Sequence, residues 1–202
     1  RVLFRSNEYA GTDPSLSFTT KVVDSGAAAL TAESTEKVLG LMEALPYGVQ
    51  RMSADIEGLV ETSVNLGITE LSAETFTLKY SVRSSVATAF RAVVDKIEFV
   101  ASCFGASSAV HSEYPAWEYV RESAFRDEAA AIYRELFGKE LSVQAIHAGL
   151  ECGILSGKIK NLDAVSIGPD MKDIHTPEER LNIPSTKRVY DFVVKIIEHK
   201  SK

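Results

Sequence analysis

Apolar and polar positions follow two different rhythms along the chain. From Leu59 they alternate: Val60, Thr62, Val64, Leu66 and Ile68 fall on one side, with Glu61, Ser63, Asn65 and Thr69 on the other. That period of two marks a half-buried strand. A second alternating run sets Phe76, Leu78, Tyr80 and Val82 against Thr77, Lys79, Ser81 and Arg83. A short polar turn joins the runs, which predicts a hairpin. Ahead of it, SLSFTTKVV (residues 15–23) predicts a β-rich run. A helix follows from Ala32, with Val38, Leu41, Met42 and Leu45 at helical spacing and Pro46 to Gly48 ending it. Behind the hairpin, Phe90, Val93, Val94, Ile97, Ala101 and Phe104 share one helical stripe closed by Gly105. Residues 107–114 then predict one more strand, stopped by Pro115. The predicted order is β-α-β-β-α-β, a ferredoxin-like antiparallel sheet with both helices on one face and the other face polar and open.

From Tyr119 the rhythm changes. Phe125, Ala129, Ile132 and Leu136 form one stripe ending at Gly138. LSVQAI (141–146) predicts a short buried strand, GLECGIL opens a helix, and DAVSIG (163–168) predicts a second strand. Residues 184–199 predict a final helix with Val189, Phe192, Val193, Ile196 and Ile197 inward. Strands alternating with helices imply parallel βαβ construction. Two strands make a poor parallel sheet, so elements that complete it are expected outside the chain. The predicted class is α+β: an irregular segment over 1–14, a ferredoxin-like unit over 15–117, and a partial α/β segment over 118–202. The opening RVLFRSNEYAGTDPS lacks an initiator Met and is rich in turn formers, which suggests a piece of a longer protein.

Charge and composition narrow the function classes. A net charge of -6 with scattered Lys and Arg argues against a nucleic-acid surface. No apolar run reaches the roughly 18 residues needed to span a bilayer, so no membrane partner is expected. Two cysteines, Cys103 and Cys152, are too few for a disulfide framework, and a reducing cytoplasm is the simplest setting.

Candidate chemistry gathers in two loops that follow the predicted parallel strands, on the edge where α/β proteins bind ligands. In AIHAGLECGIL, Gly149 permits close backbone approach, Glu151 could bind an amine or orient a histidine, and Cys152 with His147 could form a nucleophile and base. A tight βα turn with a small buried thiol accounts for the same residues. In GPDMKDIHTPEE, His175 lies among Asp170, Asp173 and Glu179 and could ligate zinc, or be a solvated loop histidine. On the polar sheet face, Asn65 and Arg83 come from adjacent strands, and Arg83 could clamp a carboxylate or simply face solvent. A non-catalytic ferredoxin-like module for association or small-molecule binding stays open on these grounds.

HAGLECG, AVSIGP and IHTPEERLNI, in that order before a closing amphipathic helix, resemble the C-terminal end of the aminoacyl-histidine dipeptidases (Xaa-His dipeptidases). These are di-zinc metallopeptidases of the aminoacylase and carnosinase type. GLVETSVNLGI, YSVRSS and EYPAWE are similar to the lid region of the same family, so the resemblance runs from about Leu39 onward. It implies a lid unit followed by the last part of a zinc-peptidase catalytic domain, a dipeptide substrate, and room for a homodimer. His175 matches the family's C-terminal zinc ligand, with Glu179 at an accompanying acidic position. His147, Gly149 and Glu151 match a substrate-side loop, and Arg83 a lid arginine that grips substrate carboxylate. The family's H-x-D ligand pair, bridging Asp and catalytic Glu-Glu pair have no counterpart in this sequence. In such enzymes zinc-bound water attacks the scissile carbonyl with a glutamate as base. The resemblance therefore implies no catalytic residue here, and zinc held at most weakly.

Overall fold

Three antiparallel strands in spatial order β1-β2-β3 are formed by β1 (Gly48–Met52), β2 (Val60–Leu71) and β3 (Phe76–Ser84). The computed structural model describes residues 8–17, 19–24, 26, 28–145 and 149–201. Contacts divide the chain into one unit ending at Glu36 and another from Lys37 onward. The predicted hairpin is present. Val64 pairs with Val82 and Leu66 with Tyr80 on the apolar side, and Ser72 and Thr75 close the turn, with the Ser72 N–H donating to the Thr75 carbonyl at 2.8 Å. Burial raises the pKa of the Tyr80 phenol above its ordinary value. A register shift between Leu66 and Ile68 leaves Gly67 as an extra residue. Beyond this bulge Ile68 pairs with Lys79 and Thr69 with Leu78. Ile68 is therefore on the polar side and 47% exposed, opposite to the side that strict alternation gives it.

The ferredoxin-like order does not form among the described residues. The described part of 15–23 contains no strand, and Val22 is 99% exposed there, with nothing to bury its face. Residues 107–114 contain none either, because Ser112 takes φ 57, a left-handed turn that breaks an extended run. β1 takes the edge instead. Its pairing shifts register on both sides of Arg51, which blurs the alternation that would have revealed it.

Helix α1 (Ala32–Ala44) begins after Thr31, whose hydroxyl accepts from the Ser34 N–H at 3.1 Å. Helix α2 (Ala87–Cys103) buries Val94 and Ala101 from the predicted stripe. It ends in a Schellman turn, in which the N–H groups of Gly105 (φ 71) and Ala106 donate to the carbonyls of Ser102 and Ala101. The Phe104 ring lies against α1, where a Cβ on Gly40 would come within 2.6 Å of it.

Helix α3 (Ala124–Phe137), helix α4 (Glu151–Lys158) and helix α5 (Ile183–Lys200) match the remaining predicted helices. Ala129 and Ile132 of α3 pack on Phe192 and Ile196 of α5, with Phe125, Tyr133, Phe137 and Leu141 around them. The Tyr133 ring meets Phe192 edge-on at 5.2 Å. Leu136 and Ile197, both predicted inward, are 37% and 58% exposed, while Tyr133 packs against the α3–α5 core. Glu128 accepts from Lys200 and lies 3.4 Å from the His199 imidazole, tying the two helices at their ends.

The two predicted parallel strands are not strands here. Residues 141–145 and 163–168 have no ladder partner among the described residues, and a strand exists only against a neighbour. The two-stranded element that does form in this half, β4 (Met171–Lys172) with β5 (Arg180–Leu181), is a short hairpin that periodicity could not reveal.

Asp163 holds this half together. Its carboxylate accepts from the Ser123 hydroxyl at 2.5 Å and from the Phe125 N–H at 2.9 Å, while Ser123 caps α3 through the Arg126 N–H at 3.0 Å. The Ser123 bond, then the Phe125 bond, hold the Asp163 pKa below its ordinary 3.8. A carboxyl whose folded pKa is depressed stabilises fully above its unfolded pKa, and that contribution is lost as pH falls through the folded value. Asp163→Asn is thus expected to lower stability at neutral pH, the deficit shrinking as pH falls below 3.8. Urea midpoints measured from about pH 7 to about pH 2 would read this, and a deficit constant across that range would refute it.

Candidate substrate site

Asn65 and Arg83 meet on one face of the sheet. Asn65 pairs with Ser81 and Ser63 with Arg83, so the two are diagonal neighbours, a separation of about 7–8 Å. Both are exposed, and among the described residues the Arg83 guanidinium has no hydrogen-bond or ion-pair partner. Further toward the base of the sheet the same face is covered. Glu61 is 5% exposed there and pairs with Arg51 Nε at 3.2 Å.

His147 lies outside the described residues. Gly149 and Glu151 are described, and what positions them is the segment EYPAW. A Cβ on Gly149 would stand 2.3 Å from Tyr114 Cε2, and one on Gly153 would stand 2.9 Å from the Pro115 carbonyl oxygen. One on Gly157 would stand 3.1 Å from Pro115 Cγ. Three glycines at four-residue spacing therefore give α4 and its approach a bare face, and residues 114–117 lie across it. The spacing is visible in GLECGILSG and was the available signal for this contact. Glu151 begins α4, where a carboxylate is favoured by the helix N-terminal field, and it is exposed. Cys152 is half-buried in the helix.

The segment continues as a strap. Glu118 Oε1 accepts from the Ala87 N–H at 3.1 Å, supplying the cap that Val86 cannot give to α2. The Tyr119 ring lies 5.8 Å from the Arg126 guanidinium, and Arg121 Nε donates to Asp55 at 2.7 Å. Beside the loop, Ile56, Glu57, Leu59, Tyr119, Val143 and Gln144 line a cavity of about 430 Å³.

His175 sits at the tip of the β4–β5 hairpin, exposed, with φ 67. Its N–H donates to Glu179 Oε2 at 2.9 Å, and Asp173 pairs with Arg180 across the loop. The hairpin base is tied to α5: the Asp170 N–H donates to Ser185 Oγ at 2.8 Å, and Arg188 donates to the Asp170 carboxylate at 3.0 Å. Asn182 caps α5 through the Ser185 N–H at 2.9 Å. Glu179 thus fixes the loop backbone, and Asp170 and Asp173 are engaged by arginines. Among the described residues no three His, Cys, Asp or Glu side chains converge to hold a metal ion. Zinc does not fit on those residues alone. No described hydrogen bond or ion pair joins His175 to Gly149, Glu151, Asn65 or Arg83, and the shared rim expected from parallel strands loses its basis with those strands. Among the described residues no helix is long and apolar enough to cross a membrane.

The chain is similar in sequence, and in its mixed helix-and-sheet fold, to dipeptidases. It is 30% identical over 192 residues, 95% of its length, to the cytosol non-specific dipeptidase of Escherichia coli (strain K12). It superposes on the crystal structure of the aminoacylhistidine dipeptidase of Vibrio alginolyticus with a TM-score of 0.84 at 28% identity, over 98% of its length. The chain spans 40% of the length of each of these relatives. No protein-family model matches it.

Packing on the glycine face is testable by adding one methyl group. Alanine at position 153 gains about 1 kcal/mol of helix propensity, yet its Cβ would meet a backbone oxygen at 2.9 Å that no rotamer change can move. Gly153→Ala is expected to destabilise by about 1–3 kcal/mol. Gly157→Ala, facing only the Pro115 ring, is expected to cost less. Chemical denaturation of both variants checks the order, and equal or stabilising effects would refute it.

Proposed function

We propose that the chain is the C-terminal part of a cytoplasmic, zinc-dependent dipeptidase that hydrolyses Xaa-His and related dipeptides. The observation that carries this reading is likeness along almost the whole chain to two dipeptidases, at 30% identity and at a TM-score of 0.84, together with the motifs HAGLECG and IHTPEER. In this reading residues 15–117 form the lid, which can pair with a second copy, and residues 118–202 close the catalytic domain. Arg83, with five donors in a planar fork, takes the substrate carboxylate, and Asn65 beside it offers an amide to the same group. His147, Gly149 and Glu151 form the substrate-side loop. His175 is one imidazole ligand, presented at a hairpin tip where its ring is accessible; the remaining ligands and the base come from protein outside this chain. A single imidazole falls short of the three or four donors a zinc site needs, so this chain alone is read as inactive and weakly metal-binding.

In the full-length protein, His175→Ala is expected to lower bound zinc and to reduce hydrolysis of β-alanyl-histidine by at least about a hundredfold, since losing one of few ligands weakens both affinity and geometry. Metal content by atomic absorption, measured beside the rate, checks both. The 202-residue chain is expected to show no turnover with added zinc. Full activity and metal content in the variant would remove His175 from the ligand set, and turnover by the chain alone would end the claim that it lacks the base.

A further inference from the structure

Helix α5 is apolar on more of its surface than its packing uses. Phe192 and Ile196 face α3, and the charged residues Lys187, Asp191, Lys195 and Glu198 recur every three or four positions along one narrow strip. A third sector carries Ile183, Tyr190 and Ile197 at seven-residue spacing, which returns to the same face after two turns. All three are more than half exposed, and Val194 lies among them, half-buried. No charged residue falls within this sector. A helix in a surface layer shows one apolar stripe, whereas a helix apolar over most of its circumference belongs between two layers. The same half of the chain leaves other apolar groups uncovered: Ile154 and Leu155 of α4, and Val143 and Ile167 of the two segments without a ladder partner among the described residues.

We propose that the outer stripe of α5 is a docking surface for the part of the protein that precedes this chain, which covers it with an apolar layer as α3 covers the inner face. The proposal rests on the reading of the chain as the C-terminal part of a longer dipeptidase, since it spans only 40% of the dipeptidases it is similar to. A second copy of the chain fits the stripe less well. Three side chains of this size, exposed to this extent, present on the order of 400 Å², about half of what each partner contributes to a stable dimer. A layer joined through the same backbone needs no such area, because the covalent link holds it at high effective concentration.

Hydroxyl-radical footprinting of the full-length wild-type protein reads Tyr190 and Ile197 without any substitution. Both are expected to react at least about fivefold more slowly in the native protein than after denaturation; weaker protection overturns the proposal, since side chains as open as they are in this chain react nearly as fast as unfolded ones. Tyr190→Asp then tells which surface does the covering. It is expected to lower the thermal midpoint by about 5 °C or more with the oligomeric state unchanged, because the carboxylate is placed inside a single chain. A variant of half the wild-type mass in solution points to a second copy and overturns the proposal, as does a midpoint that does not move. Tyr190→Ala, a milder change, gives the same two readings where the aspartate variant does not fold. Hydrolysis of β-alanyl-histidine by the same wild-type preparation separates the two readings. Turnover with an unprotected stripe sinks the docking surface alone, and a protected stripe without turnover on any dipeptide removes the dipeptidase assignment while α5 stays covered.

Discussion

The Pro115 carbonyl oxygen stands where Gly153 could have carried a methyl group, and the Tyr114 ring stands where Gly149 could have carried one. This approach of an irregular segment to a helix with no side chains on one face sets the position of much else. Pro115 has no N–H to satisfy and a fixed φ, so it can lie flat on the helix without leaving an unpaired donor. From that contact the chain reaches Glu118, which caps α2, then Arg121, which pairs with Asp55 in the β1–β2 connection, and then Ser123, which caps α3 and binds Asp163. Ten residues thus hold the sheet, the helix behind it and the C-terminal helix pair, through backbone caps and charge-assisted bonds rather than through a shared apolar core.

That dependence explains what could be read from the chain. Helices α2, α3 and α5 follow from stripes of Val94 and Ala101, of Ala129 and Ile132, and of Phe192 and Ile196, because a helix closes its hydrogen bonds within itself. The β2–β3 hairpin was legible because its partner strand is adjacent in sequence. Residues 141–145 and 163–168 carry strand-like composition but have no described partner, and composition cannot supply one. The segments at 15–23 and 107–114 failed for local reasons, exposure at Val22 and a left-handed turn at Ser112. β1 was hidden by its two register shifts.

The candidate site was legible to a different depth at each residue. Alternation put Asn65 and Arg83 on one face, and the ladder register agrees. His175 and the HAGLECG loop were singled out by residue type and by their place after predicted strands that do not form, and their roles were given by resemblance, since an exposed histidine on a loop has no periodicity to mark it. The Glu179 carboxylate holds the His175 backbone N–H, and Arg180 and Arg188 occupy Asp173 and Asp170, so carboxylates that look like metal ligands in the sequence spend themselves on loop geometry. Asp163 and Tyr114 escaped notice because their partners lie far along the chain, Ser123 at 40 residues for Asp163.

The extra residue at Gly67 inverts the phase of β2 while β3 keeps its own. Below it, one side of the ribbon offers Ser63, Asn65, Ser81 and Arg83; above it, Ile68 emerges on that same side. That side stays polar around Ile68, because Lys79, Thr77 and Glu70 share it and Lys79 pairs with Glu70 at 3.3 Å. A substitution in β2 beyond Gly67 therefore falls on the side opposite to the one a regular ladder would give. Losing residue 67 would thus do more than any replacement nearby, since it would turn the far end of β2 over against a β3 that keeps its own phase.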